Sequence, residues 1–258
     1  MILGIELKEN EWAKTMIESK DLGKKPTETL RRVARYYLDS GYSKRETRAE
    51  LDRFLLQCDP KASIPKWENR LETAMGYALK YSAVDIDSID ITDKEMKKID
   101  ALNGRMVQRL AFTLLCLAKY NNAVRPNSNY WVNNKDSEVM RFANISTSTR
   151  RQCQLYRELR DVGMIEFSRS VSNTSVRVIF AEDGNPVLSI VKFVNLGYQY
   201  QMYKGEPFFT CANCGVTVKI PNDKTGRPPK YCPDCAVRIK TKQSVDSVMR
   251  KRIAGKRQ

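Results

Sequence analysis

The sequence predicts a mainly α protein with small β elements, an α+β chain assembled from several units. Three observations lead there. From residue 9 to residue 162, apolar residues recur mostly at three- and four-residue steps behind recognisable helix starts. Strand-like runs are short, chiefly within 164–181 and 216–220. Two Cys-x-x-Cys pairs near the end mark a small unit that a metal or disulfides would hold in place of an apolar core. A length of 258 residues leaves room for one or two domains with real cores beside it.

Residues 1–81 read as a helical domain. Pro26 suits the first turn of a helix carrying Leu30, Val33, Ala34 and Tyr37, and Gly41 fits the turn that follows. Ser43 and Glu46 form a capping box for a helix over about 44–57, with Leu51, Phe54 and Leu55 facing inward. Pro65 opens another, along which Trp67, Leu71, Ala74, Met75 and Ala78 repeat. The turn around Ser43 has the look of a helix-turn-helix with Lys44, Arg45 and Arg48 outward, but this domain is close to neutral and ordinary bundle packing is expected. Residues 82–92, acidic and β-branched without helical period, are read as a linker. Thr92 and Glu95 form a second capping box, whose helix Asn103-Gly104 should end.

Charge and composition narrow the chemistry. Basic residues exceed acidic ones by fifteen, and the excess lies at 96–204 and 236–258, whereas 1–95 carries 17 basic and 18 acidic residues. A polyanionic partner accounts for that asymmetry through counterion release; a merely solubilising surface is the alternative. The chain has no histidine, which excludes Ser-His-Asp and Cys-His catalysis, HExxH metalloproteases and histidine-containing zinc sites. The longest nearly apolar run, Leu110–Ala118, is too short to span a bilayer, and no basic segment precedes an apolar stretch at the start, so a cytoplasmic protein without membrane partners is expected.

Residues 93–185 form the next expected domain. An apolar helix from Met106 to Tyr120 is followed by a loop with Pro126, an extended Tyr130-Trp-Val132, a short helix near Asp136–Ala143, and a longer helix over about Ser148–Val162 stopped by Gly163. MIEFSRSV and TSVRVIFA then read as two strands around Ser172-Asn173. Leu155, Leu159 and Val162 define the buried stripe of the longer helix, with Arg150, Gln154 and Arg157 away from it. Over about 104–181 this order resembles the winged helix-turn-helix family, including Phe142-Ala143-Asn-Ile145, Ser148-Thr149 and Leu159-Arg-Asp-Val-Gly163-Met-Ile165. The resemblance implies a recognition helix that enters the DNA major groove and a wing that touches backbone or minor groove. On it, the DNA-binding candidates are Ser148, Thr149, Arg150, Arg151, Gln154, Arg157, Arg169 and Arg177.

Residues 210–236 hold Cys211, Cys214, Cys232 and Cys235, seventeen residues separating the pairs. That spacing is typical of one structural Zn²⁺ in a closed four-thiolate shell with no open position for catalysis; paired disulfides are the alternative. The stretch 208–236 resembles a zinc ribbon, with Gly215 and a strand-like Val216–Ile220 after the first pair. Its loop contains Gly-Arg-Pro flanked by lysines, as in a minor-groove arm, but a rigid Pro-Pro turn is the expected reading; Arg227 and Lys230 join the DNA candidates as phosphate contacts. Cys58, Cys116 and Cys153 are read as buried apolar residues. Residues 186–209 alternate at Val187–Val194 and Tyr198–Tyr203 and are read as a β-rich connector; 237–258 is a basic tail without fixed structure unless a polyanion orders it.

The expectation is therefore a non-enzymatic protein that binds double-stranded DNA sequence-specifically, in transcriptional control or replication initiation, with the layout of phage or mobile-element proteins of low-GC bacteria. A replication or transcription protein is a further expected partner. The rivals are an adaptor that docks on a nucleic-acid-processing enzyme through the helical domain and ribbon, and a Mg²⁺-dependent nuclease or primase using Asp85, Asp87, Asp90 and Asp93.

Overall fold

Four helices begin the described chain, and their starts follow local sequence. The computed structural model describes residues 5–168, 175–220 and 229–254, with side chains as far as Met249. Helix α1 (Glu9–Ser19) is followed by α2 (Pro26–Asp39), with proline in its first turn. Helix α3 (Lys44–Cys58) starts from the complete capping box of Ser43 and Glu46, and α4 (Ile64–Lys80) again has proline in its first turn. Leu30, Val33, Ala34, Leu51, Phe54, Leu55, Leu71, Ala74 and Met75 close into one core with Ala13, Tyr37 and Ala78. Arg48 donates to Asp52, Glu68 and Glu72, at 2.6 to 3.1 Å. It is therefore engaged within the bundle. Lys8 binds Asp85 and Asp87, and strand β1 (Ile89–Thr92) occupies the end of the stretch read as a linker.

The chain divides into two compact units, one reaching to Asp90 and including Ser189–Phe193, the other comprising Ile91–Leu188 and the chain from Val194 on. In the second, α5 (Asp93–Asp100) grows from the capping box of Thr92 and Glu95. Helix α6 (Arg105–Val124) follows, its residues 110–118 buried on every side. Such a helix sits at the centre of a core, as its all-round apolar sequence requires. Around it come β2 (Trp131–Val132), α7 (Asp136–Phe142), α8 (Thr149–Asp161), β3 (Ile165–Phe167) and β4 (Val176–Val178). The three strands form an antiparallel sheet in the order β2-β4-β3, with Trp131 opposite Arg177 and Glu166 opposite Arg177 on the other side.

Strand β5 (Pro186–Ile190) pairs with β1. The expected alternation at Tyr198–Tyr203 is instead helix α9 (Leu196–Tyr203). Its buried residues, Leu196, Gly197, Tyr200 and Gln201, fall at helical steps; a six-residue Tyr/Gln alternation suits either period, and packing on α6 decides between them. Strands β6 (Phe208–Thr210) and β7 (Thr217–Lys219) form an antiparallel hairpin, and α10 (Pro233–Ala254) takes up most of the tail. The chain is thus mainly α with small β elements. No helix among the described residues is long and apolar enough to cross a membrane.

Candidate nucleic-acid interface and metal centre

Helix α8 owes its position to one buried face and one capped end. Leu155, Tyr156 and Leu159 are buried, which turns Arg150, Cys153, Gln154 and Arg157 outward. The hydroxyl of Ser148 accepts from the Arg151 amide at 3.3 Å, so this side chain caps the helix. Thr149 is exposed. Arg151 donates to Glu158 at 2.6 Å and to Gln154 at 3.4 Å, an arrangement that neutralises it along the helix. Arg150 and Arg157 have no ion pair or hydrogen bond among the described residues. They are the exposed cations of this face.

Two expectations about this helix need correction. Val162 is 60% exposed, because α8 ends at Asp161 and Val162 only terminates it, so the buried stripe stops at Leu159. Cys153 is exposed too, on the same face as Arg150 and Arg157; Cys116 is buried and Cys58 half-buried. On β4, Arg177 is exposed but tied to Glu166 at 3.6 Å and to the Asn129 carbonyl at 3.3 Å. Arg169 and Arg227, with the turn at Ser172-Asn173, lie outside the described residues.

The turn before α8 is joined to the cysteine unit by polar contacts that leave no signal in the sequence. Asn144 donates to Asn195 at 3.0 Å, its side-chain oxygen accepts from the Tyr198 amide at 3.2 Å, and Asn195 donates to the Thr217 carbonyl in β7 at 3.0 Å. Both asparagines have positive φ, a conformation asparagine tolerates better than most residues. Gly197 lies so close to the Ala143 carbonyl that a Cβ would come within 2.0 Å of its oxygen. Arg109 reinforces the turn by donating to the Asn144 carbonyl at 3.1 Å.

The four cysteines converge. Their sulfurs all lie within 4.8 Å of one another, Cys214 and Cys232 at 3.7 Å. A tetrahedron with Zn–S bonds of about 2.3 Å has edges of about 3.8 Å, whereas a disulfide would need about 2.05 Å. All seven cysteines are free, so the paired-disulfide alternative does not describe this structure. Gly215, with φ of +69°, turns the first pair back so that its amide donates to the Cys211 carbonyl. The second pair lies at the start of α10, with the Ala236 amide on the Cys232 carbonyl at 2.9 Å. Arg238 and Asn213 donate to the Cys235 sulfur and hold its thiol below the ordinary range. Burial pushes Cys214 up to about 12 and also raises Cys232, so two of the four resist ionisation without a cation. A divalent metal held there would make all four available as thiolates. Arg238 carries a signal only if the tail is taken as a helix, in which it follows Cys235 by three residues.

Lys230 is exposed, its ammonium 5.5 Å from the Tyr231 ring centre, while its carbonyl accepts from the amide of Ala212, between the two cysteines of the first pair. Of the four aspartates considered for a Mg²⁺ site, Asp85 and Asp87 are held by Lys8, Asp90 accepts from Ser88 and Ser189, and Asp93 lies in the first turn of α5. Among the described residues, only the four cysteines bring three or more potential metal ligands together. Compared with protein-family models, curated proteins and solved structures, the chain matches none.

Proposed function

We propose that the second unit is a winged helix-turn-helix that binds double-stranded DNA through α8, and that the cysteine cluster is a structural Zn²⁺ ribbon fastened to it. The observation that carries the reading is the outward face of α8, where Arg150 and Arg157 stand unneutralised beside Gln154, following α7 and preceding a three-stranded β2-β4-β3 sheet. The element order and the antiparallel pairing are those the family resemblance implies. Arginine suits guanine or phosphate, and glutamine suits adenine. Transcriptional control and replication initiation both use such a unit, and a DNA target with a replication or transcription partner follows from either.

The test is selection of bound duplexes from a random library, followed by affinity measurement on the winner. Arg150→Ala with Arg157→Ala should weaken binding at least about 30-fold, since each base-reading arginine contributes about 1–3 kcal/mol. Equal binding by variant and wild type removes α8 as the reader. An adaptor would yield no selected sequence and no effect of the double substitution.

A further inference from the structure

Helix α10 has an ordered start and, among the described residues beyond the half-buried Ile239, no packed face. Every residue from Lys240 to Met249 is exposed, including Val245, Val248 and Met249, and from Val237 to the end the sequence holds eight basic residues against one acidic. A helix in water without a buried stripe depends on its nucleus, because fixing the first turn is the unfavourable step and each later residue adds little. Here the first turn is also half of the cysteine cluster. Pro233 opens the helix, Asp234 lies in its first turn, Cys235 points a sulfur into the cluster, and Arg238 reaches back to that sulfur at 3.4 Å. A metal held by Cys232 and Cys235 therefore fixes the turn from which α10 grows. Beyond that turn basic residues, clustered at 238–242 and 250–257 around the single Asp246, outnumber acidic ones; the excess opposes compaction and suits one kind of partner, a polyanion.

We propose that the metal centre is the nucleus of α10, and that α10 is a metal-dependent arm binding the phosphate backbone of duplex DNA independently of sequence. The partner rests on the DNA-binding reading above; the metal-to-helix link does not. The arm adds a sequence-independent contact to that of α8 and ties overall affinity to metal occupancy.

Full-length protein serves for the test, stripped with chelator and titrated with Zn²⁺ alone. Amide exchange across 237–254 should slow on Zn²⁺ addition in the wild type and stay fast in Cys232→Ser with Cys235→Ser. Exchange that ignores both Zn²⁺ and the cysteine substitutions overturns the nucleus. For the arm, Lys240, Lys242, Arg250, Lys251 and Arg252 are changed together to Gln, which keeps helix propensity. Binding of the Zn²⁺-loaded variant to a random-sequence duplex should show a plot of log affinity against log salt shallower by about 2–4 than wild type, at about 0.9 for each phosphate left unneutralised. The stripped wild type should show the same change. An unaltered slope, or no duplex binding by the wild type at low salt, overturns the phosphate-binding arm. If Arg150→Ala with Arg157→Ala leaves binding intact while the glutamine variant loses slope, the α8 reading fails and the arm stands; the reverse pattern sinks the arm alone.

Discussion

Replacing Gly197 by alanine tests how the cysteine unit is fastened to the turn before α8. The residue has an ordinary helical φ, so the only objection to a side chain is space: the added Cβ would sit 2.0 Å from the Ala143 oxygen and 2.6 Å from its carbonyl carbon. Both are backbone atoms, which no rotamer change can move. Relief requires α9 and the turn to separate by more than about 1 Å, a strain of the overpacking kind worth about 1–3 kcal/mol. That displacement also strains three hydrogen bonds, from Asn144 to Asn195, from the Tyr198 amide to Asn144, and from Asn195 to the Thr217 carbonyl. At about 1 kcal/mol each the total loss is about 4–6 kcal/mol. For a unit of this size a transition falls about 2–4 °C per kcal/mol, so Gly197→Ala should lower its Tm by about 8–24 °C. Calorimetry on the full chain reads this, and Trp131 fluorescence in a Trp12→Phe, Trp67→Phe background assigns the transition to the second unit. Gly76 is the control. It lies within α4 with no atom in reach of an added Cβ, so Gly76→Ala should stabilise the first unit by about 0.5–1 kcal/mol. A Gly197→Ala transition within about 2 °C of wild type refutes the close approach and the fastening with it.

Glu95 is fully buried, with Lys119 at 2.9 Å and the amides of Thr92 and Glu182 on its oxygens; Glu95→Ala leaves a cation and two amides without their acceptor and should cost about 3–5 kcal/mol in urea unfolding. In Zn²⁺-loaded protein at pH 8, a thiol reagent should modify exposed Cys153 first and Cys58 far more slowly, since burial disfavours its thiolate and raises it to about 11; Cys116, fully buried, should react only on unfolding, and native-state labelling of Cys116 at the rate of Cys153 would contradict the packing of α6. Because Cys153 shares the outward face of α8, a bulky adduct there should weaken DNA binding while Cys153→Ser leaves it unchanged; an adduct without effect counts against that face. Purified protein should retain about one equivalent of zinc, and less than about half an equivalent counts against the four-thiolate site.

The elements legible in advance are those whose cause is local. Ser43 with Glu46 and Thr92 with Glu95 start helices because each box satisfies its own amides, and Leu30, Leu51 and Leu71 face inward because a 3.6-residue period aligns them. The cysteine cluster is legible for the same reason, its spacing being short-range information. Where sequence and structure part, the deciding partner lies far along the chain or the segment's end falls elsewhere. Tyr198–Tyr203 alternates in sequence but coils because α6 offers a surface to Leu196 and Tyr200, and Val162 continues a stripe that the end of α8 leaves behind. Residue type alone marks Arg150, Arg151, Arg157 and Arg177 alike, yet of these four only Arg150 and Arg157 keep their charge open, since Glu158 and Glu166 engage Arg151 and Arg177.

The sequence by itself determined the helix starts, the convergence of four thiols and a positive excess confined to the middle and the end, because each depends on neighbours a few residues away or on composition alone. Tertiary structure decided which cations remain outward and unpaired, that α9 is a helix, and that Asn144, Asn195 and Thr217 meet. Apart from the i,i+7 pairing of Arg151 with Glu158, those outcomes depend on groups up to about 90 residues apart, whose meeting is set by how buried faces pack and leaves no periodic trace along the chain.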